Sequence, residues 1–172
     1  MPFRVVASRE EEQSDPALAA DERVMLHARG KAREVAARAR VPEGGAVLGV
    51  DTEVVVDGRV LGKPADIDAA RAMLAGLSGR THQVMSGVVL VTPDGTDEAL
   101  AVADVRFRDI DGPLMEWYLG LGEWRGRAGG YAIQGAGAAL VESITGDPTT
   151  IIGLPLGDLA ALLRARALFP LA

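Results

Sequence analysis

Asp51 and Thr52 close the apolar run Ala46–Val50, and Lys63 follows the short segment Arg59–Gly62. The dipeptide Asp57-Gly58 between Glu53–Val56 and Arg59–Gly62 is a two-residue hairpin signal. With these two residues as the turn, Val56 faces Arg59 and the pairing runs outward to Thr52 opposite Lys63. Opposed residues in an antiparallel pair lie roughly 5 Å apart, so Asp51, Thr52 and Lys63 are expected to meet at the open end of the hairpin. A carboxylate beside a hydroxyl and an ammonium suits metal-assisted phosphate chemistry. The carboxylate holds the metal or takes a proton from water, and the ammonium neutralises phosphate oxygens. The same residues also make an ordinary strand-end salt bridge, and geometry alone favours that simpler reading.

Three further places carry polar groups that chemistry can use. Lys31 shares a helical stripe with Val24, Ala28 and Val35, so its ammonium either faces a sheet or snorkels to solvent. Glu12 closes the acidic run Glu10-Glu11-Glu12, a pattern usually solvated. In Ala128-Gly129-Gly130-Tyr131-Ala132-Ile133-Gln134-Gly135, glycines bracket one amide that offers both a donor and an acceptor to the edge of a flat base. The alternative for that stretch is a purely structural glycine turn. The two histidines, His27 and His82, form no cluster in sequence, which argues against a metal held by several histidines. His82 reads as a hydrogen-bonded structural group.

The elements that must position these groups follow from periodicity and punctuation. Phe3–Val6 reads as a strand, and Asp15-Pro16 as a helix start. Leu18–Arg40 keeps helical spacing and is stopped by Pro42, Gly44 and Gly45. Asp66 is a cap for a helix with Ala70, Met73, Leu74 and Leu77 on its core face, ended by Ser78-Gly79. Two long strands, Gln83–Thr92 and Glu98–Ile110, flank the turn Pro93-Asp94-Gly95. Pro113–Leu121 is a short helix, 123–137 a glycine-rich loop, Ala139–Ile144 a strand and Leu156–Leu168 a terminal helix. No linker divides the chain. The order predicts an α/β fold, a single elongated domain with a mixed twisted sheet flanked by helices.

Composition limits the rest. The 172 residues carry a net charge of −6 and no cysteine, which excludes disulfides, thiol nucleophiles and a broad basic nucleic-acid surface. No apolar run is long enough to span a bilayer, and the first residues lack the apolar core of a signal peptide, so a cytoplasmic protein is expected. Neither G-x-x-x-x-G-K-[ST] nor G-x-G-x-x-G occurs in a strand–helix setting, and no serine sits in a G-x-S-x-G elbow.

Five segments together resemble the Maf family of nucleotide pyrophosphatases (Maf/HAM1-like). They are Gly49-Val50-Asp51-Thr52 with Leu61-Gly62-Lys63-Pro64, Leu77-Ser78-Gly79-Arg80-Thr81-His82-Gln83-Val84, Gly122-Glu123, Ala128–Gly135 and Gly153-Leu154-Pro155-Leu156. Their order and spacing cover nearly the whole chain. The resemblance implies hydrolysis of a nucleoside triphosphate to the monophosphate and pyrophosphate with a divalent metal, Mg²⁺ or Mn²⁺. It makes Asp51 the proton acceptor, Thr52 and Gln134 the residues that tune substrate choice, Lys31 and Lys63 the phosphate contacts, and Glu12 with Asp51 the metal partners. The I-Q-G tripeptide resembles members acting on dTTP and UTP. A homodimer, with no nucleic-acid or membrane partner, is implied as well. Family members usually begin with a strand and an S-x-S-x-R-R loop that supplies an arginine to the phosphates. Residues 1–172 are thus expected to be one Maf-like domain without that strand and loop, with a sheet edge open near Ala46–Val50. This departure favours a second reading, a nucleotide-binding regulatory member with weakened catalysis.

Overall fold

The computed structural model describes residues 2–10, 18–39 and 41–168. Five strands form one sheet in the order β2-β1-β3-β4-β5: β1 Val47–Val56, β2 Arg59–Leu61, β3 Thr81–Thr92, β4 Gly95–Phe107 and β5 Val141–Thr145. The α/β class and the flanking helices are as expected, but every described pairing is antiparallel, where a mixed sheet was expected. Tight turns explain the direction of the first two hairpins. Asp57 (φ 50°) and Gly58 (φ 72°) are both left-handed, the backbone of a two-residue turn that matches strand twist.

Helices cover both faces of the sheet, and each face has its own apolar cluster. On one face lies α1, Ala20–Arg38, which buries Val24, Met25, Ala28 and Ala32 against Val89. Small residues let it come close. A Cβ on Gly49 would stand 2.6 Å from the Ala28 carbonyl oxygen and from Ala32, so only glycine at that strand position allows this helix spacing. On the other face α2 (Ile67–Leu77) and α3 (Gly112–Leu121) pack Leu74, Leu77, Tyr118 and Leu119 with Val54, Val84 and Phe107. Asp66 and Asp111 cap these helices, accepting from the Ala69 and Leu114 amides. A five-residue helix, α4 (Pro148–Ile152), and the terminal α5 (Leu156–Ala165) complete this layer.

Three segments depart from expectation. Phe3–Val6 is no strand: residues 2–10 join no ladder among the described residues, and Phe3 and Val5 are 85% and 88% exposed. Their apolar side chains meet no core. The segment instead lies along α1, where the Ala7 carbonyl accepts from Arg38 Nη2 (2.8 Å) and the Arg9 amide donates to Glu34 (3.1 Å). β1 runs unbroken through Asp51-Thr52, because both polar side chains find partners without leaving the strand. The short helix Pro148–Ile152 has no counterpart among the expected elements. Among the described residues, Val47–Glu53 pair on the β3 side alone, Val54 and Val55 pair with both neighbours, and Val56 pairs with β2 alone. The expected helix start at Asp15-Pro16 lies outside the described residues.

Candidate active site

The alternation of a strand sends neighbouring side chains to opposite faces, and β1 uses both. Asp51 and Glu53 turn toward α1. Arg23, His27 and Lys31 recur every four residues on that helix and therefore share one stripe facing them. Lys31 Nζ donates to Asp51 Oδ1 at 2.5 Å. Arg23 donates to Glu53 through Nε (2.8 Å) and Nη2 (3.3 Å). His27 Nδ1 stands between the carboxylates, 3.5 Å from Asp51 Oδ2 and 3.7 Å from Glu53 Oε1. The cross-strand partner of Asp51, Gly87, also lets α1 approach, since a Cβ there would stand 2.9 Å from Met25 Sδ and 3.1 Å from the Val24 carbonyl oxygen. Burial pushes the Glu53 carboxyl above its ordinary value, against the opposing pull of Arg23.

Thr52 and Val54 turn the other way and line a cleft of about 170 Å³ with Lys63, Arg127, Tyr131 and Gln134. Thr52 Oγ1 lies 2.7 Å from Ser86 Oγ, its cross-strand partner, and Ser86 Oγ donates to the Thr150 carbonyl of α4 at 2.8 Å. α4 ends at Gly153 (φ 110°), where a Cβ would touch Thr52 Oγ1 at 3.4 Å, so the helix end seats directly over the threonine. Lys63 lies two residues beyond the last β2 pair, Val54↔Leu61, where the ladder has ended and the Gly62 carbonyl accepts from the Gly129 amide at 3.1 Å, and it lines the same cleft as Thr52. Glu123 accepts from the Ala136 amide at 2.7 Å, two residues beyond Gln134. A second hollow of about 480 Å³, lined by Asp21, Gln83 and Asp104, contains none of the site residues read from the sequence.

The fold therefore sorts the expected residues into two groups. Thr52, Lys63 and Gln134 share the cleft, while Asp51 and Lys31 pair on the opposite face of the same strand. The hairpin reasoning puts Asp51 at the right strand position but does not separate it by face from Thr52. Glu12 lies outside the described residues. His27, Glu53, Arg23 and Ser86 escaped the sequence reading. The i, i+4, i+8 run of Arg23, His27 and Lys31, set against the alternate carboxylates Asp51 and Glu53, is the signal that finds the first three.

Chemically, the α1 face offers one imidazole nitrogen and two carboxylate oxygens within 4.8 Å of one another. Its two carboxylates suit a hard divalent ion such as Mg²⁺ or Mn²⁺, whereas the imidazole is a donor better matched to softer ions. One histidine suffices for such a set, which a search for paired histidines does not detect. The cleft face offers two cations, Lys63 and Arg127, and the amide of Gln134.

Comparison with known proteins adds a consistent set of relatives. A family model described as Maf-like protein matches residues 1–166. A dTTP/UTP pyrophosphatase of Alcanivorax borkumensis is 43% identical over 165 residues, 95% of this chain and 84% of that protein. A nucleoside triphosphate pyrophosphatase of Xylella fastidiosa is 48% identical over 137 residues, 79% of this chain and 72% of the relative. A dTTP/UTP pyrophosphatase of Pyrococcus furiosus is 46% identical over 110 residues, 64% of this chain and 58% of that protein.

Proposed function

Since the chain belongs to the Maf family, we propose that it hydrolyses dTTP and UTP to the monophosphate and pyrophosphate. The observation that carries this reading is the double use of β1. Asp51 is held by Lys31 on one face, and the next residue, Thr52, opens onto a cleft with Lys63, Arg127 and Gln134 on the other. A triphosphate with its base in the cleft lies across β1 toward Asp51 and Lys31. The base sits in the cleft against Thr52 and Gln134. Lys63 and Lys31 hold phosphate oxygens, a local positive charge that a chain of net charge −6 must concentrate to bind an anion. Asp51 takes the proton of the attacking water as its oxygen bonds to the α-phosphorus. The bond from that phosphorus to the bridging oxygen breaks, and pyrophosphate leaves with the electron pair.

Asp51 would hold the divalent ion, with His27 and Glu53 the nearest further donors, and Glu12 is retained as a metal partner on the resemblance. Bound there, Mg²⁺ or Mn²⁺ supplies charge neutralisation and lowers the pKa of water. A homodimer in the cytoplasm completes the reading. Among the described residues no helix is long and apolar enough to cross a membrane.

Product analysis across dTTP, UTP, dCTP, ATP and GTP tests the proposal. The expected result is pyrophosphate and monophosphate from dTTP and UTP, lost on adding EDTA and restored by Mg²⁺ or Mn²⁺. Release of orthophosphate in place of pyrophosphate contradicts it. A thermal midpoint that rises with dTTP while no product forms would identify a nucleotide-binding protein instead.

A further inference from the structure

We propose that Ser86 is the positioning residue that makes the site select uracil and thymine over cytosine, by fixing which way the Thr52 hydroxyl points. The inference rests on the reading of the cleft as the base site. A hydroxyl has one proton and two lone pairs. The Ser86 hydroxyl spends its proton on the Thr150 carbonyl, an atom that can only accept, at 2.8 Å. The proton in the 2.7 Å contact between Thr52 and Ser86 must therefore come from Thr52. Ser86 and Thr150 are both fully buried, so no water substitutes for either partner. The order is Thr52 to Ser86 to Thr150, and it leaves Thr52 Oγ1 with lone pairs alone to offer the cleft.

An acceptor at that point matches the imide N3–H of uracil and thymine. Cytosine presents a lone pair at N3, so it would set acceptor against acceptor. A site that hydrogen-bonds a substrate N–H rejects an analogue lacking it, because its own polar group is left unpaired. Thr52 thereby becomes a proton-state reader only because Ser86 stands behind it. Neither residue type alone carries the discrimination, since a free threonine hydroxyl rotates to donate or accept as the ligand requires.

Removing the Ser86 hydroxyl frees that rotation. Ser86→Ala also leaves the Thr150 carbonyl one donor, the Gly153 amide at 3.2 Å, so the end of α4 keeps a hydrogen bond. The test compares kcat/KM for dTTP, dCTP and 3-methyl-dTTP in the wild-type protein, Ser86→Ala and Ser86→Thr. The wild type should prefer dTTP over dCTP by about tenfold or more and should lose 3-methyl-dTTP, whose N3 has no proton. In Ser86→Ala the dTTP:dCTP ratio should fall about tenfold, mostly through faster dCTP hydrolysis, and Ser86→Thr should restore it. A general loosening of the fold would slow both substrates and leave their ratio alone. An unchanged ratio in a folded Ser86→Ala overturns the proposal. So does a wild type that hydrolyses dTTP and dCTP equally, a result that decides the matter even if the variant does not fold, while leaving the pyrophosphatase reading intact. If the wild type cleaves none of the triphosphates, the underlying reading fails first.

Discussion

The two histidines are put to different uses. His27 packs between two carboxylates, whereas His82 sits among rings, with Nε2 2.8 Å from the Tyr131 hydroxyl and its ring edge-on to Phe107 at 4.9 Å. Burial holds His82 down to about 4, and it raises the Tyr131 hydroxyl, which stays neutral. Unfolding returns the imidazole to about 6.5. The unfolded chain therefore binds the extra proton between pH 6.5 and 4, and stability present above that window is lost as pH falls through it. The shift amounts to roughly 3 kcal/mol. The melting temperature should thus drop more steeply from pH 7 to 4.5 in the wild type than in His82→Gln. Parallel curves would mean that His82 does not govern this range. Hairpin arithmetic places Asp51, Thr52 and Lys63 near one another without separating their faces, and the glycine frame singles out Gln134. His27 and Ser86 are missed by it. Each matters through a neighbour that is distant in sequence, 24 and 34 residues away respectively, and a strand's alternation does not say which helix covers which face.

At the level of elements, the site depends on how near α1 lies to β1. Gly49 sets that distance, since any side chain there meets the backbone of Ala28 and Ala32 at 2.6 Å. Gly49→Val should push the helix outward and draw Lys31 from Asp51. We expect a loss of about 1–3 kcal/mol in stability, together with a fall in turnover larger than any change in KM. A variant with the melting temperature and kcat of the wild type would show that α1 does not need this approach. The same local chemistry explains which elements were legible. Asp57-Gly58, Asp66 and Asp111 announce a turn and two caps through backbone requirements that few residues meet. α4 is too short for periodicity to register, although Asp147-Pro148 carries the same cap signal. Phe3–Val6 has strand-forming residues but no described strand to pair with, and β propensity expresses packing against neighbours more than any intrinsic backbone preference.

Across the whole molecule, the antiparallel sheet acts as a partition with a worked strand near its edge. One layer, under α1, gathers Arg23, His27, Lys31, Asp51 and Glu53. The other, under α2 and α4, leaves a cleft with Thr52, Lys63 and Gln134. Two consecutive residues of β1 join them, so the proposed reaction would tie base recognition and proton removal to one rigid element instead of to two loops, which favours precise placement. The account stands or falls on Asp51. The decisive measurement is the rate of pyrophosphate release from dTTP by Asp51→Asn against the wild type, with Mg²⁺ present and the melting temperature of both proteins recorded. The account predicts a folded variant that still binds dTTP and turns it over about 10²–10⁴ times more slowly. A folded Asp51→Asn that releases pyrophosphate at the wild-type rate would contradict it.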